Sequence, residues 1–213
     1  FGLDAKLYPT MQRKQSDKIF DVTFAAETLK RVFEKSINQV SDDTLRPVMC
    51  GIYANVNKGY TGFVSTNATK LLVLKEDTEY DGEPFSFIIA KRTAILLQQL
   101  LQNASDTDRI KIVVEGNHSA IRSDKFNVEC LLIEGKYPNY NSVIPITFAS
   151  ELTVNKSLLA NAVKRVSVFS NPASMLTVLD IHNNNIKVNS RDIDFATSAE
   201  EDVPCQFNGN EMM

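Results

Sequence analysis

Residues 19–40 read Ile19-Phe-Asp-Val-Thr-Phe-Ala-Ala-Glu-Thr-Leu-Lys-Arg-Val-Phe-Glu-Lys-Ser-Ile-Asn-Gln-Val40, and a change of period inside this stretch decides the fold. Ile19 to Phe24 is rich in β-branched and aromatic residues, as a strand requires. From Ala26 to Val40 the apolar residues Leu29, Val32, Phe33 and Ile37 take the i, i+3, i+4 spacing of a half-buried helix. Three strand-like runs follow, Val48 to Val56, Gly59 to Ser65 and Leu71 to Lys75, with the turn token Asn57-Lys58-Gly59 between the first two.

The same order recurs twice. Phe85 to Ile89 leads into a predicted helix over Lys91 to Asn103, then runs at Arg109 to Glu115, Ser119 to Ser123 and Phe126 to Ile133. Glu151 to Val154 leads into a predicted helix over Lys156 to Phe169, then runs at Leu176 to Ile181, Asn185 to Asn189 and Ile193 to Ser198. Leu29, Ala94 and Leu159 hold the same place in each copy, 65 residues apart. Helices followed by hairpins imply antiparallel sheet, so the class is α+β, built from β-α-β-β-β units with helices on one face of antiparallel sheets. One unit leaves an open sheet edge, so units one and two are expected to pair side by side as a domain, residues 18–145. Unit three, residues 146–213, is then the first half of another domain.

The 213 residues are 43% hydrophobic, enough for one large core or two smaller ones. Apolar runs are short, such as Phe87 to Ala90, so no membrane span or signal peptide is read, and a cytoplasmic location is expected. The chain opens on Phe1, which is the expectation for a piece of something longer. Cys50, Cys130 and Cys205 lack metal-ligand spacing and read as reduced, mostly buried thiols. Asn-x-Ser/Thr at Asn67, Asn103, Asn117 and Asn155 reads as turn and cap chemistry. His118 and His182 fall in predicted hairpin turns with no nucleophile nearby, which argues against an enzyme, and no cofactor or metal site is expected.

Net charge is −3, but its distribution is uneven. The predicted helices carry Lys30, Arg31, Lys35, Lys91, Arg92, Lys156, Lys164 and Arg165 against Glu27 and Glu34, a net of +6, which leaves −9 on the rest. A basic helical layer on an acidic body suits phosphates and carries no base-reading information.

The stretch Ile133-Glu-Gly-Lys-Tyr-Pro-Asn-Tyr-Asn-Ser-Val-Ile-Pro145 resembles a segment of the β sliding clamp family of bacterial DNA polymerase III. So do Leu45-Arg-Pro-Val-Met-Cys-Gly-Ile52, Phe63-Val-Ser-Thr-Asn-Ala-Thr-Lys-Leu71 and Lys164-Arg-Val-Ser-Val-Phe-Ser-Asn171, in family order. The resemblance implies the DNA clamp fold, with residues 1–17 as the tail of a first clamp domain and linker, 18–145 as the second domain and 146–213 as the N-terminal half of the third. It implies a homodimeric ring that meets duplex DNA non-specifically through its backbone, with helices inside, and no catalysis of its own. It implies a groove that takes short linear motifs of the polymerase and clamp loader. Its matching positions are Met49, Thr66, Ala68, Thr69, Lys70, Leu71, Pro138, Ser142 and Val143. Val168 and Phe169 match an apolar pair of the dimer interface. The sequence departs from the family's common Thr-Asp-x-His-Arg-Leu at Thr66-Asn-Ala-Thr-Lys-Leu71, and Ser142 stands where Arg is common, which alters the rim of the groove more than its floor. The rival expectation is a clamp-like recruitment scaffold that binds peptides and never encircles DNA.

Overall fold

The computed structural model describes residues 13–14, 16–182 and 184–209. Residues 1–12, most of the expected tail, lie outside the described residues, as does Asn183 of the predicted His182-Asn183-Asn184 turn. The chain forms two compact units, divided between Tyr140 and Asn141, five residues before the boundary expected from sequence.

The first unit holds β1 (Ile19–Ala25), α1 (Ala26–Ser36), β2 (Gly51–Asn57), β3 (Tyr60–Thr66), β4 (Leu71–Asp77), β5 (Phe85–Ala90), α2 (Lys91–Leu101), β6 (Arg109–Glu115), β7 (His118–Arg122) and β8 (Asn127–Leu131). All pairings are antiparallel, in sheets ordered β1-β6-β7-β8 and β4-β3-β2-β5. The two repeats therefore exchange their first strands. β1 lies along β6, with Ile19 opposite Glu115, and β5 lies along β2, with Ile52 opposite Ile89. Side-by-side packing was the expectation, and exchange answers the same physical demand by hydrogen-bonding the β2 edge of one repeat and the β6 edge of the other with a strand of the opposite repeat.

The helix starts follow the same reciprocity. Neither Ala25 nor Ala90 can cap a helix through its side chain. The Ala26 and Glu27 N–H groups donate instead to the carbonyls of Asp108 (2.8 Å) and Asp106 (3.1 Å), just ahead of β6. The Lys91 N–H donates to Cys50 O at 3.1 Å, just ahead of β2. Two of the opening donors of α1 and one of α2 are thus satisfied by the other repeat.

Alternation places Val22 and Phe24 of β1 and Ile110, Ile112 and Val114 of β6 on one face, where they meet Leu29, Val32 and Phe33 of α1 and Ala94, Leu97 and Leu101 of α2 in a single buried cluster. A smaller cluster of Val64, Ile88 and Tyr137, with Val48, Tyr53, Leu71, Ile133 and Tyr140 packed on it, lies apart from the helical core.

The second unit holds β9 (Glu151–Val154), α3 (Lys156–Val166), β10 (Val178–His182), β11 (Asn185–Asp192) and β12 (Thr197–Asn208), in the order β10-β11-β12-β9. Here Asn155 caps α3, its Oδ1 accepting from Ser157 and Leu158 N–H at 3.0 and 3.1 Å. β12 pairs first with β11 and then with β9, changing partners at Pro204, whose missing N–H suits the hand-over. Ala162, Val166, Ile181, Ile186, Val188 and Val203 form its core.

Three local expectations are corrected. Val48 and Met49 were expected in a strand but sit in a 3-10 turn over Pro47–Met49, because Pro47 pre-sets the first turn position and the Cys50 N–H closes it on Pro47 O at 3.0 Å. Ile193 to Ala196 were expected to begin a strand. Asp192 Oδ1 instead accepts from the N–H groups of Asp194 (2.9 Å) and Phe195 (3.3 Å), a side-chain turn that competes with the ladder. His118 was expected in a surface turn and is buried as the first residue of β7, its Nε2 3.6 Å from Glu129 Oε2. Helix lengths differ only at the ends, where α1 and α3 pass into 3-10 turns at Ile37–Gln39 and Ser167–Phe169.

Candidate functional site: a turn over an aromatic floor, and the basic helices

β3 and β4 are joined by the Thr66–Leu71 turn, built by two side chains. Asn67 Oδ1 accepts from Thr69 N–H (3.1 Å), Thr69 Oγ1 (3.0 Å) and Lys70 N–H (2.9 Å). Thr66 Oγ1 donates to Lys70 O at 2.7 Å and accepts from Ala68 N–H at 3.1 Å. Ala68 is held at φ +76°, a left-handed conformation that L side chains rarely adopt. Asparagine at 67 does internally what a turn needs, while the tips of Ala68, Thr69 and Lys70 stay exposed.

Leu71, the first residue of β4, drops from this turn onto the Val64–Ile88–Tyr137 cluster. There the rings of Tyr53 and Tyr137 stack, centroids 4.7 Å apart, and Tyr140 meets Tyr53 edge-on at 6.5 Å. Burial pushes the Tyr137 phenol up to about 12, so it stays protonated as part of an apolar floor. Pro138 follows Tyr137 directly and is half-buried. The sequence reading missed Tyr53, Tyr137, Val48, Ile88 and Ile133. The legible signal was Tyr137 beside Pro138 in the quoted motif. Met49 ends its 3-10 turn next to Val48, and Val48 supplies the contact to the cluster. Ser142 and Val143 belong to the second unit, in a 3-10 turn over Tyr140–Val143, with Val143 exposed. A cavity of about 460 Å³ in the first unit shares Tyr53, Ile88, Ile133 and Tyr137 with this cluster and adds Phe87, and none of the groove residues expected from sequence lines it.

The eight helix cations do not form one class. Lys30 Nζ donates to Ala104 O (2.7 Å) and Asp106 Oδ1 (2.8 Å), and Lys91 Nζ to Asp42 Oδ1 (2.7 Å). Arg31 grips Glu76 through Nε (3.2 Å) and Nη2. Arg165 grips Glu201 through Nε (2.9 Å) and Nη2, and that fork holds the Glu201 carboxyl below the usual carboxylate range. Among the described residues no ion pair involves Lys35, Arg92, Lys156 or Lys164, which leaves four of the eight free for an outside anion. Val168 and Phe169 lie in the 3-10 turn after α3, and Val168 is 78% exposed. Among the described residues no group of three or more His, Cys, Asp or Glu side chains could hold a metal ion, and no helix is long and apolar enough to cross a membrane.

Comparison with known families decides the assignment. A profile described as "DNA polymerase III beta subunit, central domain" matches residues 23–139, and one described as "DNA polymerase III beta subunit, C-terminal domain" matches residues 141–213. The chain belongs to the DNA polymerase III beta subunit family. The two matches meet where the two compact units divide. The curated "Beta sliding clamp" of Haemophilus influenzae is 24% identical over 208 residues, and that of Pseudomonas aeruginosa 23% over 210. These alignments cover 98% and 99% of this chain but 56% of each relative, so the chain spans about half the length of the relatives it matches. The fold is that of solved sliding clamps. The polymerase III beta subunit of Pseudomonas aeruginosa superposes with a TM-score of 0.88 at 22% identity, covering 99% of this chain and 57% of that one. The Bacillus subtilis clamp superposes with a TM-score of 0.88 at 20% identity, covering 99% and 55%.

Proposed function

We propose that this chain is about half of a DNA sliding clamp that encircles duplex DNA as a homodimeric ring and tethers the replicative polymerase and clamp loader through short peptide motifs. The observation that carries this reading is that both compact units match consecutive domains of one family, in order and over nearly the whole chain. The helix cations would face phosphates across solvent, where ions screen charge over about 8 Å at physiological salt. Such contact is weak and reads no bases, so the ring slides while closure keeps it attached. Val168 and Phe169 would meet the partner protomer.

Peptide docking would rest on the floor beside Leu71, Tyr137 and Pro138, where an apolar Leu or Phe anchor supplies most of the affinity. The rim formed by Thr66 to Lys70 spends its polar groups on its own turn, which supports a floor-dominated mode. Nothing in this role requires catalysis by the chain itself.

The test is processive synthesis on primed circular DNA by the cognate polymerase and loader with the full-length protein. Strong stimulation is expected. A second reading, a recruitment scaffold that binds peptides without encircling DNA, is favoured by the internal pairing of half the helix cations. Peptide binding without any stimulation of synthesis would establish it over the ring.

A further inference from the structure

We propose that Glu76 and Glu201 are built-in counterions that withhold Arg31 and Arg165 from DNA phosphates. The inference rests on the clamp reading above, and it divides the basic helix faces into cations that meet DNA and cations that do not.

Both arginines present Nε and Nη2 together to one carboxylate, which is the same planar fork that would accept a phosphate. A guanidinium engaged on that edge has its best phosphate-binding edge occupied. Glu76 is 12% exposed and Glu201 33%, so each acid sits deeper than its arginine, at 42% and 61%. Depth helps hold Glu76, and for the more exposed Glu201 the two-point grip of the guanidinium does so. By contrast Lys30 and Lys91 meet Asp106 and Asp42 through single nitrogens, and those acids are mostly exposed. Single-nitrogen contacts of that kind to exposed acids are exchanged more readily than a two-point fork, although Lys30 is also held by Ala104 O.

The placement repeats between units. Glu76 lies on β4 and Glu201 on β12, each the third strand after its helix. Each strand packs against the helix that carries the arginine. The middle repeat lacks the pair. Its third strand, β8, carries Glu129, which is engaged by Arg13 and faces His118, and α2 has no basic residue after Arg92. The device is present in the two repeats whose helices carry an arginine within reach of that strand.

The consequence is a lower effective charge toward DNA. Each phosphate contact contributes about −0.9 to the slope of log affinity against log salt. Freeing one arginine should steepen the slope by about 0.9, and freeing both by about 1.8, an extra loss of about twelvefold between 50 and 200 mM salt.

The experiment measures binding of the 213-residue chain to a short linear duplex by fluorescence anisotropy across a salt series. Glu76→Gln and Glu201→Gln keep shape and remove charge, and circular dichroism checks that each folds. Each is expected to bind more tightly at low salt and to steepen the slope by about 0.9. Arg31→Gln should remove about 0.9 of slope in the Glu76→Gln background and less than half of that in the parent. Slopes equal to the parent's in both glutamine variants overturn the proposal, and so does an equal effect of Arg31→Gln in both backgrounds. Glu201→Gln, in the second unit, decides the matter alone if Glu76→Gln fails to fold. The clamp reading has its own control. Joint replacement of Lys35, Arg92, Lys156 and Lys164 by Gln should flatten the parent's slope. If it flattens while the glutamate variants change nothing, only the counterion proposal falls. If no variant binds DNA, the counterion proposal falls, while the clamp reading is decided by processive synthesis with the full-length protein.

Discussion

Ala68→Gly should make the protein more stable. Ala68 sits at φ +76° in the turn between β3 and β4, with its side chain in solvent. A left-handed conformation costs an L residue about 1–2 kcal/mol. Glycine removes that cost but loses about 0.4–1 kcal/mol through the greater freedom of its unfolded chain. No apolar contact is lost, because the methyl is exposed, and the residue's N–H keeps its bond to Thr66 Oγ1. Taking the middle of each range, the difference is a gain of about 0.8 kcal/mol for the first unit. At a urea dependence of about 2 kcal/mol per molar, the midpoint rises by about 0.4 M. The assay is urea unfolding followed by far-UV circular dichroism. Gly59→Ala is the mirror experiment: Gly59 has φ +79° and nothing within 4 Å of an added Cβ, so only backbone strain is introduced and the midpoint should fall. An unchanged or lowered midpoint for Ala68→Gly would refute the reasoning, because it would mean the turn bonds of Asn67 and Thr66 already make this conformation costless.

Other outcomes follow from single features. Leu71→Ala should weaken docking of a Leu- or Phe-anchored peptide about tenfold, read by anisotropy, with unchanged circular dichroism. Phe33→Ala, fully buried between α1 and both sheets, should cost about 3–5 kcal/mol in urea unfolding. Burial pushes the Cys130 thiol up to about 11, so at pH 8 a disulfide reagent should label Cys50 and Cys205 and spare Cys130 until the chain unfolds. Asp108, held low first by Lys125 and then by the Ser105 N–H, and Glu134, held low first by Lys14 and then by Asn117, add stability at neutral pH. Their pKa values are lowered on folding, so that contribution is fully present above the unfolded values. It is lost as pH falls below about 4, and acid unfolding of Asp108→Asn should be less steep than the parent's there.

The order of elements was legible because period alone encodes it. Leu29, Val32, Phe33 and Ile37 could only share a face as a helix, and Arg109 to Glu115 alternates as cleanly in sequence as β6 does in burial. Strand exchange was not legible. β1 would alternate identically beside β2 or β6, and nothing local to Ile19–Ala25 names its partner. The burial of His118 was missed because residues 116–118 carry turn chemistry, while the force that buries the ring is the β7–β8 pairing, with Ala120 opposite Glu129. The basic helices were visible as a count of charges. Which of those charges are spent internally depends on acids such as Glu76 and Glu201, far away in sequence and close only once the sheets form.

The exchanged first strands also fix how the first unit must fold. Pairing Ile19 with Glu115 closes a loop that runs through almost the whole unit, and neither four-stranded sheet can be completed from one repeat. Loop-closure entropy must be met before that pairing yields any return, which favours slow folding with a late, diffuse nucleus. The N–H groups that open α1 and α2 find their acceptors only across the exchange, so each helix start frays until both repeats have met. A tandem repeat ordinarily permits piecemeal growth, with one copy as a template for the next. Here neither copy can complete its sheet without the other, so the first unit should fold as a single kinetic unit.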